Sequence, residues 1–231
     1  MKTLGIIGGI GPESTIDYYR QIIAAYRQQK QDGSYPQIII NNIDMKTMLD
    51  LIEANELPRL TEYLLGELQK LSKAGADFGL LASNSPHIVF DELSSESPIP
   101  LLSIVEAACE ATKKLRLKRV GLFGTRFVMQ GRFYPEVFAG EGVALILPGA
   151  DEQTYIHDKY MNELVQGVIL PETRERLLAI VDRLKAQENI EGLILGGTEL
   201  PLILREETYS GIPFLNTTKI HVERAVAQML S

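Results

Sequence analysis

A chain of 231 residues, 45% hydrophobic and 23% charged, with glycine and proline scattered singly, can bury a sizeable core without metal or disulfide staples, which excludes disordered and fibrous classes. Lys and Arg number 23 against 30 Asp and Glu, and the net charge of -7 argues against electrostatic binding to nucleic acid or anionic lipid. The single cysteine, Cys109, cannot form an internal disulfide, so a reducing, cytoplasmic setting is expected. No apolar run approaches the roughly 18 residues of a membrane span, and no targeting segment is read at the N-terminus.

Short apolar runs alternate with amphipathic stretches along the chain. Leu4-Gly5-Ile6-Ile7 reads as a buried strand, followed by a helix with Tyr18, Ile22, Ile23 and Tyr26 on one face, then a second buried strand at Gln37-Ile38-Ile39-Ile40. A helix is predicted from about Leu57 to Ser72, then a strand over Phe78-Gly79-Leu80-Leu81-Ala82, a polar loop, a short helix and a strand over Ile99-Pro100-Leu101-Leu102. Strands apolar on both faces, alternating with helices, predict parallel βαβ units and an α/β fold.

The same grammar then recurs. Arg119-Val120-Gly121-Leu122-Phe123-Gly124-Thr125 echoes the first strand, Gly192-Leu193-Ile194-Leu195-Gly196-Gly197-Thr198 echoes the third, and Ser210-Gly211-Ile212-Pro213-Phe214-Leu215-Asn216 parallels Ser97-Pro98-Ile99-Pro100-Leu101-Leu102-Ser103. Three segments in the same order, about 113 to 117 positions apart, predict two similar lobes related by a pseudo-twofold. The seam is expected near residue 103, with a first lobe over 1–102 and a second over 103–215. In such a chain the loops after the buried strands are where a ligand is expected.

Four loops carry the polar chemistry. In Gly8-Gly9-Ile10-Gly11-Pro12-Glu13-Ser14-Thr15 the glycines, Gly9 and Gly11 among them, permit close approach of a ligand, and a helix start favours an anion; a plain tight turn is the alternative. The spacing fits neither a dinucleotide fingerprint nor a phosphate-binding P-loop. Ser83-Asn84-Ser85-Pro86-His87 offers two hydroxyls, an amide and an imidazole, with His87 read either as an acid/base or as a satisfied core group. In Gly196-Gly197-Thr198-Glu199, Thr198 can donate to an anion and Glu199 is either a cap or a site carboxylate, while Thr125 is either a fourth polar contact or a helix N-cap. His157 and His221 lack partners at metal spacing, and Cys109 reads as core packing within a helix.

Together, Gly8-Gly9-Ile10-Gly11-Pro12-Glu13-Ser14-Thr15, Ser83-Asn84-Ser85-Pro86-His87, Gly121-Leu122-Phe123-Gly124-Thr125 and Leu195-Gly196-Gly197-Thr198-Glu199-Leu200-Pro201 resemble the aspartate/glutamate racemase family, aspartate racemase branch, over essentially the whole chain. The resemblance implies two flavodoxin-like lobes, with a C-terminal helix over 216–231 completing the first, a homodimer, and amino-acid racemisation that uses neither pyridoxal phosphate nor metal. Opposed cysteine thiols, one per lobe, would move the Cα proton of a small amino acid, with backbone N–H groups and hydroxyls holding its carboxylate. Carried over residue by residue, the carboxylate contacts are Asn84, Ser85, Thr125 and Thr198.

The resemblance departs at both thiols, because the cysteine positions hold Ser83 and Gly197. Serine is a far weaker base than thiolate, and glycine offers no side chain. Two readings stay open: a racemase in which Ser83, His87 and Glu199 supply the proton transfer, or a carboxylate-binding homologue or one-base enzyme such as a decarboxylase or lyase. A substrate with a second carboxylate would need a cation, for which Lys46, Arg126 and Lys159 are candidates.

Overall fold

The computed structural model describes every residue from Met1 to Ser231, and its contacts group into two compact units. The first comprises Met1–Ile104 with His221–Ser231, the second Val105–Ile220. No helix is long and apolar enough to cross a membrane.

In chain order the elements are β1 (Leu4–Gly8), α1 (Pro12–Gln29), β2 (Ile38–Asn42), α2 (Met45–Glu53), α3 (Leu57–Lys73), β3 (Phe78–Leu81), α4 (Phe90–Glu96), β4 (Leu101–Leu102) and α5 (Ile104–Lys114). There follow β5 (Arg119–Gly124), α6 (Arg126–Gln130), α7 (Phe133–Gly140), β6 (Ala144–Ile146), α8 (Ala150–Asn162), α9 (Pro171–Glu188), β7 (Gly192–Gly196), α10 (Leu200–Ile203), β8 (Thr208–Tyr209), β9 (Ile212–Asn216) and α11 (Thr217–Leu230).

In the first unit the strands run in the order β2-β1-β3-β4, all parallel, with Leu4 opposite both Ile38 and Phe78. In the second the order is β6-β5-β7-β9-β8. The α/β class and the dominance of parallel pairing are as the doubly apolar strands require. Two details differ from the sequence reading. β2 is only half-buried, because it lies at the sheet edge with one side unpaired. β8 pairs antiparallel with β9 through a two-residue turn at Ser210 and Gly211, whose φ values of 50° and 77° match the right-handed twist of a hairpin.

Local signals set the helix boundaries. Pro12, Pro58 and Pro171 open helices where a missing N–H costs nothing, and Asp44 caps α2 by accepting from the N–H groups of Lys46 and Thr47. In α3, Leu60, Leu64, Leu68 and Leu71 form one buried stripe at helical spacing. The first unit's core joins Leu4, Ile6, Tyr18, Ile22, Phe78 and Leu80 to Val222, Val226 and Met229 of α11. Its polar pin is His221, which faces the Tyr18 hydroxyl through Nδ1 at 2.9 Å and the Leu102 carbonyl through Nε2 at 3.1 Å. Since a carbonyl only accepts, Nε2 carries the proton and Nδ1 accepts from Tyr18. The second unit's core packs Phe123, Leu177, Val181, Leu184, Leu193 and Leu195 against α8 through Ile156 and Tyr160.

Candidate functional site

Every loop singled out in the sequence lies at the carboxyl end of a parallel strand, the position where α/β sheets carry their ligands. In the first unit β1 runs into a turn closed by its own helix. The Gly9 N–H donates to Thr15 Oγ1 at 2.8 Å, and the Thr15 hydroxyl donates to the Gly11 carbonyl at 3.3 Å. Gly9 has φ of +83°, and a Cβ there would overlap the Ile43 carbonyl oxygen and stand 2.8 Å from Asn42 Nδ2. The tight-turn reading of Gly9 therefore has a direct physical basis. Gly9→Ala is expected to cost about 1–3 kcal/mol through backbone strain, read as a lowered midpoint in urea.

After β3, Ser83 is half-buried, while Asn84, Ser85 and His87 are buried in and beside a short 3-10 turn over Ser85–Val89. His87 is 1% exposed, stacks on Phe90 with ring centroids 4.8 Å apart, and accepts the Ile104 N–H through Nε2 at 3.2 Å. Burial, then the neighbouring His221, pushes its pKa down to about 3, so it stays neutral near pH 7. The proton sits on Nδ1, which completes no hydrogen bond, although the backbone of Ser83 and Asn84 lies close enough to favour the charged form slightly. With Nε2 occupied and Nδ1 protonated, the ring has no lone pair left to activate Ser83.

In the second unit Thr125 ends β5 and caps α6, its Oγ1 accepting the Val128 N–H at 3.4 Å. The loop after β7 holds the densest polar cluster. Glu199 is 2% exposed, and its Oε2 accepts from the Thr198 hydroxyl at 2.9 Å and from the Tyr160 hydroxyl of α8. Glu199 also occupies the N-cap position of α10, but its side chain makes no capping bond there. It is bound instead into a buried group of hydroxyls.

Tyr160 is the residue sequence reasoning missed. A Cβ built on Gly197 would run into Tyr160 Cε2 and lie 3.0 Å from both its Cζ and its Oη. Gly197 does not have a positive φ, so the obstacle to a side chain there is steric, and the nearest obstructing atoms are those of the Tyr160 side chain. The helical period of α8 marks Tyr160 as core-facing, and no short-range signal in the sequence connects it to Gly197.

The cations differ in their engagement. Lys46 is ion-paired with Asp50 on exposed α2, and Lys159 with Glu163. Arg126 pairs with no carboxylate; its backbone N–H donates to His157 Nδ1 at 3.2 Å and its guanidinium lies 3.4 Å from Nε2. No three His, Cys, Asp or Glu side chains are grouped to hold a metal ion. Cys109 is buried in α5 with its thiol pushed up by burial, as its core-packing reading requires. A groove of about 660 Å³ along α3, lined by Leu57, Leu65, Val89 and Glu96 among others, contains none of the expected site residues.

Comparison with known proteins adds an independent line. The chain is 25% identical over 240 residues to the broad specificity amino-acid racemase RacX of Bacillus subtilis (strain 168), covering 99% of this chain and 98% of that one. Its fold matches the crystal structure of a candidate Asp/Glu racemase of Yersinia pestis with a TM-score of 0.91 at 29% identity, over the full length of both chains. It matches an aspartate racemase homologue of Pyrococcus horikoshii with a TM-score of 0.84 at 30% identity, also over both full lengths. The family profile described as Asp/Glu/Hydantoin racemase matches residues 7–225. With strand order, loop positions and sequence match in agreement over nearly its whole length, the chain belongs to the Asp/Glu/hydantoin racemase family.

Proposed function

We propose that this protein catalyses cofactor-independent proton transfer at Cα of a small amino acid, without pyridoxal phosphate or metal, as a homodimer in the cytoplasm. The observation that carries this reading is the buried Glu199 carboxylate, held by Thr198 and Tyr160 at the β7 loop directly beside Gly197. A carboxylate out of solvent and within hydrogen bonds supplies a final acceptor for a substrate Cα proton, whereas Gly197 offers none. Carboxylate binding is assigned to Gly9, Gly11, Asn84, Ser85, Thr125 and Thr198. Arg126, free of ion pairs, is the cation we assign to a second carboxylate where the substrate has one.

Incubation with each enantiomer of a panel of amino acids in heavy water is expected to place deuterium at Cα of at least one, read by proton NMR or mass spectrometry. Silence across the panel would sink the reading.

One observation favours a second reading. Ser83 has no activating partner in His87, whose Nε2 is taken by the Ile104 N–H. A protein with one working proton carrier would bind a carboxylate or act as a decarboxylase or lyase. Saturable binding of an amino acid with no exchange of its Cα hydrogen would support that alternative.

A further inference from the structure

The second unit contains a tyrosine where the family pattern, carried onto Gly197, puts a thiol. Three observations converge on it. The Tyr160 hydroxyl lies 3.0 Å from the Cβ position of residue 197, so its oxygen stands in close contact with the place where a side chain there would begin. Its proton is directed at Glu199 Oε2, which also accepts from Thr198. Tyr160 is 6% exposed and Glu199 is 2% exposed, so neither is satisfied by bulk water.

We propose that Tyr160 and Glu199 form a proton relay that stands in for the absent thiol at position 197. The inference rests on the Cα proton-transfer reading above and names the groups that carry it out. In the forward step the substrate Cα–H bond breaks and its proton forms a new O–H bond at Tyr160 Oη, while the original Tyr160 proton passes to Glu199 Oε2. Glu199 becomes a carboxylic acid, and the C–H electron pair stays on the substrate as a carbanion delocalised into its carboxylate. Reprotonation runs the two transfers in the opposite sense once the relay protons have exchanged with water, so atoms and charge balance with water as the only other proton source. A free tyrosinate never forms, in keeping with a hydroxyl that burial and the adjacent Glu199 hold well above its ordinary pKa. Gly197 follows as a consequence: the ring that brings the hydroxyl into place leaves no room for a Cβ.

The test is Cα deuterium exchange by the full-length protein carrying Tyr160→Phe, Glu199→Gln, or both. Tyr160→Phe keeps the ring that fills the space and removes only the hydroxyl. It is expected to lower the maximal exchange rate by about 10²-fold or more while leaving the half-saturating substrate concentration near wild type, with only the modest loss of stability that one buried hydrogen bond costs. Glu199→Gln should fall similarly, and the double variant no further than the worse single one, because two members of one relay fail together. Wild-type exchange by Tyr160→Phe, or losses that multiply in the double variant, overturns the relay while leaving Cα proton transfer standing. No exchange by the wild-type protein itself overturns that underlying reading, and the relay falls with it.

Discussion

Stability should fall as pH drops from about 6.5 towards 5, with a slope that steepens from about 1.4 to nearly 2.7 kcal/mol per pH unit. The cause is two histidines buried in the first unit. Burial, followed by the charge of His221, pushes His87 down to about 3; burial, opposed by the Leu102 carbonyl and reinforced by Arg224, pushes His221 down to about 4. In the unfolded chain both return to about 6.5. The folded state therefore stays unprotonated where the unfolded state takes up two protons. Their contribution is fully present above about pH 6.5 and is lost progressively as pH falls towards 4 and then 3. Carboxylates held low by partners, such as Glu67 and Glu152, add acid sensitivity only below the ordinary carboxylate range, so the window between pH 5 and 6.5 isolates the histidines. Urea unfolding at half-unit pH steps measures the slope. His221→Gln should reduce it by about half in that window, at the cost of some stability at every pH from the disturbed Tyr18 and Leu102 contacts. A wild-type slope near zero between pH 5 and 6.5 would contradict the buried neutral state of both rings.

Gly197→Cys is expected to destabilise the protein. The new Cβ would overlap the Tyr160 ring, which is itself wedged in the second unit's core with Ile156, Leu195 and Leu200, so the cost is about 1–3 kcal/mol of overpacking. Flexible yielding is restricted because the tyrosine is held at both ends, by apolar neighbours along the ring and by Glu199 at the hydroxyl. Tyr160→Ala opens a cavity and costs about 3–5 kcal/mol alone, by the usual range for large aromatics. In that background the penalty of Gly197→Cys should vanish or change sign, giving a coupling beyond the additive sum. Equilibrium unfolding of the four proteins of this cycle measures it, and additive costs would show that Tyr160 is not what excludes a side chain at 197. A reconstruction with two thiols, Ser83→Cys with Gly197→Cys, accordingly needs a third change at Tyr160.

Much of the fold can be read from the chain because its signals are local. β1, β3, β5 and β7 are apolar on both faces, α3 repeats leucine at helical spacing, and prolines mark helix starts. Ile38-Ile39-Ile40 reads like a central strand, yet β2 is an edge strand, because the number of neighbours a strand acquires is a property of the sheet rather than of the strand. The β8–β9 hairpin escaped notice because its strands are short and its turn signal, Ser210-Gly211, is also an ordinary loop dipeptide.

The same division runs through the site. By itself the sequence determined the α/β class, the loops at the strand ends and the family. Each of these depends on residues adjacent in the chain or on a pattern of fixed period. Only the tertiary structure decided that His87 spends its Nε2 lone pair on Ile104, that Glu199 is a buried carboxylate rather than a helix cap, and that Tyr160 fills the space beside Gly197. Those facts depend on close packing between residues far apart in sequence, 39 positions in the case of Tyr160 and Glu199, and close packing leaves no periodic trace in the chain.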